Sequence, residues 1–163
     1  MKELVEKLNL NLITKKDYED RELFNEAFLN ILDSYQVDLV VLAGFLVVIP
    51  EAMIAKYRNK IINIHPSLIP AFCGTGYYGL KVHEGVLERG VKVTGATVHF
   101  VDEGMDSGAI ILQKMVPVLD DDTEDTLSAR ILVQEHKAYP EAIQLFAQGR
   151  LELDGRIVKV KGE

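Results

Sequence analysis

Apolar positions along this chain recur with two periods, and the chain switches between them repeatedly. Leu23, Phe24, Ala27, Phe28, Ile31 and Leu32 fall at helical spacing, which predicts an amphipathic helix laying one apolar stripe on a sheet. Asp17-Tyr18-Glu19-Asp20 precedes it, and acidic side chains suit the start of a helix. Upstream, Met1 to Lys7 reads as helical and Leu10 to Ile13 as a short apolar run. From Asp38 to Phe45 the pattern is continuously apolar rather than alternating, as in a parallel strand covered on both faces. Pro50 to Tyr57 reads as a short helix with proline in its first turn. Lys60 to His65 is the next strand, stopped by Pro66, which cannot donate to a ladder.

A loop rich in glycine, proline and aromatic residues covers Ser67 to Gly79, and Leu80 to Arg89 is a helix closed by Gly90. Two β-branched stretches follow, Val93 to Val101 and Ala109 to Val118, with Gly104 to Gly108 turning between them. The acidic run from Asp120 to Asp122, with Thr123, opens a helix reaching about Ala138 and reads as a solvated helix start. A last helix is expected to begin at Pro140. Leu151 to Val160 predicts a hairpin turned by Asp154-Gly155. Alternation of strand and helix implies an α/β layered sheet, mostly parallel, with antiparallel strands toward the C-terminus.

With 163 residues, 48% of them hydrophobic and 26% charged, the chain has the make-up of one folded domain, 1–163. A net charge of −7 argues against nonspecific binding to nucleic acid or to an anionic membrane. The longest apolar stretch, Leu39 to Ile49, is 11 residues against the roughly 18 needed to span a bilayer. The one cysteine, Cys73, precludes an internal disulfide, and with no signal-peptide pattern after Met1 a cytoplasmic location is expected.

In an open α/β sheet, sites form beyond the carboxyl ends of strands. In Asn63-Ile64-His65-Pro66-Ser67 the alternation of a strand puts Asn63 and His65 on one face. An amide N–H and an imidazole N–H together can hold the oxyanion that develops when a carbonyl is attacked. The loop from Asp102 to Gly108 supplies carboxylates, and a carboxylate beside an imidazole orients it and favours its charged form. Spacing alone leaves open whether Asp102, Glu103 or Asp106 faces His65, since Asp and Gly also dominate ordinary turns. Taken singly, His83 and His136 read as helix-surface residues and His99 as a packed strand residue.

Two longer stretches narrow the choice. Asn63-Ile64-His65-Pro66-Ser67-Leu68-Ile69-Pro70, and Gly95 through Gly108 followed by Ile111 and Val118, resemble the two motifs of the folate-dependent formyltransferases, in the same order. The likeness runs from about Asp17 to Gly149 and is closest to the branch that formylates glycinamide ribonucleotide in purine synthesis. It implies the family's Rossmann-like layered fold and 10-formyltetrahydrofolate as co-substrate, with no metal. It implies that Asn63, His65 and Asp106 are catalytic, the first two stabilising the tetrahedral oxyanion and Asp106 pairing with His65. It further implies that Arg21, Leu46, Val47, Val48, Ile49, Asn63, Asp102, Glu103, Gly104, Met105 and Asp106 bind the folate. Glu135 would hold the ribonucleotide, and the Ile69-Pro70 bond would be cis.

Family members open with a strand and a glycine-rich turn that binds the ribonucleotide phosphate through backbone N–H groups. Here Met1 falls where the second helix would be, so the resemblance implies a fold truncated at its N-terminus, with an uncovered sheet edge that invites pairing as a homodimer. Other members of the superfamily, such as a formyltetrahydrofolate hydrolase, and a non-catalytic folate-binding remnant are the alternative readings.

Overall fold

The computed structural model describes residues 15–45 and 48–162. The readings on Met1 to Lys7 and Leu10 to Ile13 lie outside these residues, as do Leu46 and Val47. The chain divides into two compact units, Met1–Asp38 and Leu39–Glu163.

In the first unit, a 3₁₀ turn at Lys15–Asp17 leads into helix α1, Arg21–Ser34. Asp20 caps it, its carboxylate accepting the Leu23 N–H at 2.8 Å, which satisfies one of the first-turn donors a helix leaves unpaired. The predicted stripe is present: Phe24 and Phe28 stack one helical turn apart, and the Tyr18 ring meets Phe24 edge-on.

The second unit contains β1 (Val40–Leu42), α2 (Glu51–Lys56), β2 (Ile61–His65), α3 (Leu80–Arg89), β3 (Val93–Phe100), β4 (Ile110–Pro117), α4 (Glu124–Ala147), β5 (Leu151–Asp154) and β6 (Ile157–Val160). The described strands form one mixed sheet in the order β1-β2-β3-β4-β6-β5. β1 and β2 are parallel, β3 runs antiparallel to β2 and to β4, and β6 joins β4 in parallel while pairing antiparallel with β5. The α/β layered architecture expected from the sequence is therefore present, its described sheet being mixed, with two pairings parallel and three antiparallel because antiparallel pairing sets in at β3.

One face of the sheet is dry. Ile62, Val98, Phe100 and Ile111 pack against Ala138 and Ala142 of α4, and Ala96 and Val116 pack with Val86 of α3 and Leu127 and Ile131 of α4. This packing explains the one helix boundary that the sequence reading misplaced. The expected break before Pro140 does not occur, and α4 is continuous with Pro140 inside it. An interior proline costs about 3 kcal/mol, but Ala138 and Ala142, both fully buried, hold the segments on either side to the same apolar face. Tyr139 adds a polar tie, its hydroxyl donating to the carbonyls of Leu42 on β1 and Ile62 on β2.

Two smaller corrections have local causes. The hairpin loop is Gly155-Arg156, one residue later than predicted, because Asp154 pairs with Ile157 in the strand register and Gly155 takes the positive φ of 60°. The acidic run before α4 is not simply solvated. The Asp122 side chain is shielded from solvent and forms a two-pronged ion pair with Arg130, at 2.6 and 2.7 Å, while also accepting from Leu119 N–H and the Thr126 hydroxyl. Arg130 in turn donates to the Pro117 carbonyl at the end of β4, so the pair fixes how the strand enters the helix.

Arg130 holds the Asp122 carboxyl well below the usual carboxylate range. A depressed folded-state pKa contributes stability above the ordinary Asp value of 3.8 and loses it as pH falls toward the depressed value. Arg130→Met is expected to lower Tm at pH 7, with the gap to the parent narrowing steadily below about pH 4. Thermal unfolding followed by circular dichroism across that range checks it; a constant gap refutes it.

Candidate active site

The site face of the sheet is built by register. Asn63 on β2 stands opposite His99 on β3, and His65 opposite Thr97. Paired residues in an antiparallel ladder share a face, so these four polar side chains gather on the side away from Ile62, Val98 and Phe100. Buried polar groups require partners, and each has them. Asn63 Nδ2 lies 3.3 Å from His99 Nε2. His99 Nδ1 lies 2.8 Å from the Phe100 carbonyl oxygen. His65 Nε2 lies 2.8 Å from the carbonyl oxygen of Phe72, an acceptor only, so that nitrogen carries a proton.

Thr97 anchors the loop that leaves His65. Its hydroxyl donates to the Ser67 carbonyl at 2.6 Å and accepts from Ile69 N–H at 3.1 Å and from Gln113 Nε2 at 3.0 Å. Gln113 also donates to the Ile69 carbonyl, and the Ser67 hydroxyl to that of Ala71. The Ile69-Pro70 bond within this turn is cis. The chain then curls, with Phe72 in the left-handed region at φ 50°, uncommon for an aromatic residue. Its ring meets Tyr77 edge-on, and Tyr77 sits over Gly85 of α3 so closely that a Cβ there would fall 2.8 Å from the Tyr77 ring.

The carboxylate arrives from the loop joining β3 to β4. Gly108 allows that loop to close, since a Cβ there would fall 1.8 Å from the Phe100 carbonyl oxygen. Asp102 is occupied within the turn, accepting from Gly104 N–H and the Ser107 hydroxyl. Glu103 pairs with Arg58, which holds its carboxyl below the usual range. Asp106 alone of the three turns inward, at φ 52°, a conformation Asp tolerates better than most residues. Its Oδ2 accepts the Gly74 N–H at 2.9 Å and lies 3.6 Å from His65 Nδ1, and its Oδ1 lies 3.8 Å from His99 Nε2. The choice among the three acids that spacing left open falls geometrically on Asp106.

Asn63, His65 and Asp106 thus converge from two distant stretches, as expected. Glu135 sits half-buried on α4, where burial pushes its carboxyl up and the imidazoles of His136 and His65 oppose that shift. Gly104 and Met105 lie in the same turn as Asp102 and Asp106, Met105 largely exposed, while Val48 is exposed and Ile49 buried before α2. Arg21 opens α1 in the first unit and is exposed. His83, which helix spacing put on the surface, is buried on α3, and burial pushes it down. Cys73 donates to the Pro70 carbonyl, and burial with the nearby Asp106 charge pushes its thiol up, opposite to what a thiolate nucleophile needs. The sequence reading missed Thr97, Gln113 and His99 as parts of the site; the signal available for them was a row of polar residues on an otherwise apolar strand. Among the described residues, no three His, Cys, Asp or Glu side chains are grouped to hold a metal ion, and no helix is long and apolar enough to cross a membrane.

An amide and an imidazole sharing a face offer two hydrogen-bond donors to one cleft, and the carboxylate behind the imidazole is an acceptor that can orient it. Residues 2–143 match the family model described as formyl transferase, and the chain belongs to that family. It is 44% identical over 140 residues to the phosphoribosylglycinamide formyltransferase, chloroplastic, of Vigna unguiculata, covering 86% of this chain and 45% of that protein. It is 45% identical over 154 residues to the trifunctional purine biosynthetic protein adenosine-3 of Homo sapiens, covering 93% of this chain and 15% of that protein. The chain therefore spans less than half the length of these curated relatives. Among solved structures, glycinamide ribonucleotide transformylase 1 from Symbiobacterium toebii superposes with a TM-score of 0.88 at 45% identity, over 98% of this chain and 74% of that one.

Replacing Thr97 by Val keeps the shape and removes the hydroxyl that serves Ser67, Ile69 and Gln113. The expected loss is about 1–3 kcal/mol, the cost of stranding buried polar groups, read as a lower urea midpoint; Thr97→Ser is expected to recover most of it. A Val variant as stable as the parent refutes the anchoring role.

Proposed function

We propose that this chain carries the transfer site of a phosphoribosylglycinamide formyltransferase, moving a formyl group from 10-formyltetrahydrofolate to the glycine amine of the ribonucleotide in purine synthesis. The observation that carries this reading is the approach of Asp106 Oδ2 to within 3.6 Å of His65 Nδ1 beside Asn63. The names of the relatives supply the substrate class.

In this reading the amine lone pair attacks the formyl carbon, forming the new C–N bond and an oxyanion. The Asn63 amide and the His65 imidazole donate to that oxygen, Nε2 exchanging the Phe72 carbonyl for it, and Asp106 orients the imidazole and balances its charge. A proton leaves the attacking nitrogen and arrives on N10 of the folate as the C–N10 bond breaks, so tetrahydrofolate departs neutral at that position. Val48, Ile49 and the turn from Asp102 to Asp106 would line the folate pocket, and Glu135 would receive the ribonucleotide.

Formyl transfer from 10-formyltetrahydrofolate to glycinamide ribonucleotide tests the reading. Asn63→Ala and His65→Ala are each expected to lower kcat by about 10²–10³, the range seen when one oxyanion donor is removed, with folding intact by circular dichroism. Asp106→Asn is expected to lower kcat as well. Losses under about tenfold would make these residues structural. Glu135→Gln is expected to raise KM for the ribonucleotide by about tenfold, the effect of one lost charge-assisted contact, and to leave KM for the folate unchanged; an equal rise in both constants refutes the assignment.

A further inference from the structure

We propose that His99 is a positioning residue, whose imidazole, held by the Phe100 carbonyl, accepts from one N–H of the Asn63 amide and thereby aims the other N–H into the space between His65 and Asp106. The catalytic consequence rests on the formyl-transfer reading above; the geometry does not.

The argument starts from where His99 can keep its proton. Its side chain is nearly fully buried, and Nδ1 stands 2.8 Å from the Phe100 carbonyl oxygen. A carbonyl oxygen accepts and never donates, so Nδ1 carries the hydrogen. Burial pushes His99 down, against the Phe100 carbonyl and the carboxylates of Asp106 and Asp102, and His65 acts in the same direction as burial. A neutral imidazole protonated at Nδ1 has a bare Nε2. The group 3.3 Å from that nitrogen is Asn63 Nδ2, a donor, so the pair is complementary in one orientation of the amide only. Asp106 Oδ1, at 3.8 Å from Nε2, is too far for a hydrogen bond.

The two N–H bonds of a primary amide are coplanar and about 120° apart, so fixing one fixes the other. Without His99 the amide is free to turn over and present its oxygen, an acceptor, where a donor is required. The strand pairing makes the contact automatic, because Asn63 and His99 are direct partners in the β2–β3 ladder. A residue acting only through the orientation of Asn63 should affect the chemical step and leave substrate binding nearly unchanged.

The test combines kinetics with a direct view of the tautomer. His99→Leu is expected to lower kcat by about 10–100-fold, as when a group that orients a reacting side chain is lost, with KM for each substrate within about twofold. His99→Gln, which restores an acceptor, is expected to regain most of the loss. In an Asn63→Ala background, His99→Leu is expected to cost less than about twofold further, since the orientation of a missing amide cannot matter. Multiplicative losses in the double variant, or a rise in KM at constant kcat, overturn the proposal. Independently of turnover, ¹⁵N NMR of the parent chain is expected to show His99 as the Nδ1–H tautomer, and His99→Gln to shift the Asn63 side-chain amide signals. An imidazolium, an Nε2–H tautomer, or unmoved Asn63 signals overturn the proposal even if a variant fails to fold. A parent chain with the expected tautomer and no turnover would count against the formyl-transfer reading alone.

Discussion

The antiparallel register of β2 against β3 is the constraint on which the site depends. Pairing Ile62 with Phe100 and Ile64 with Val98 buries one face against α4, and the same register sets Asn63 opposite His99 and His65 opposite Thr97. Because strand side chains alternate with a period of two, a slip of one residue would carry the polar set into the apolar layer and the apolar set into the site. The hydrophobic packing of α4 therefore aligns the polar face from the opposite side of the sheet. Tyr139 reinforces this, tying β1 and β2 at Leu42 and Ile62, one residue before Asn63.

Around that frame the loops are held by polar contacts. Thr97 and Gln113 fasten the turn after His65 to β3 and β4, and Asp106 reaches across to the Gly74 N–H, so that the two loops restrain each other. Asp102 and Glu103, which lie beside Asp106 in the sequence, are used to shape and tether their own turn. Three acidic residues within five positions thus do different work, and only the backbone conformation at Asp106 separates them. Close approach at Gly108 makes this turn tight enough for the third carboxylate to point inward.

Much of this was legible from residues alone. Alternation on Lys60 to His65 put Asn63 and His65 together, the acidic run ending at Asp20 and the glycine at Gly90 marked their helix ends, and the paired motifs pointed to Asp106. What stayed hidden depended on tertiary partners. The continuity of α4 through Pro140 reflects burial on both sides of the proline, which a local rule cannot see. Asp122 read as a solvated helix start because its partner Arg130 lies two turns on. His99 read as packing because a single strand does not reveal the side chain opposite it; the β2–β3 pairing does.

Phe72 remains the least ordinary backbone in the site, an aromatic residue in a left-handed conformation whose carbonyl keeps His65 Nε2 satisfied. A vacant donor beside an acid would otherwise recruit water or collapse onto its neighbours. With a neutral carbonyl as placeholder, the imidazole stays poised at no great thermodynamic depth, because a neutral acceptor binds an N–H more weakly than an anionic one. Whatever competes for that N–H therefore competes with a peptide carbonyl, so the imidazole and the curled segment at Phe72 are tied to each other through one bond.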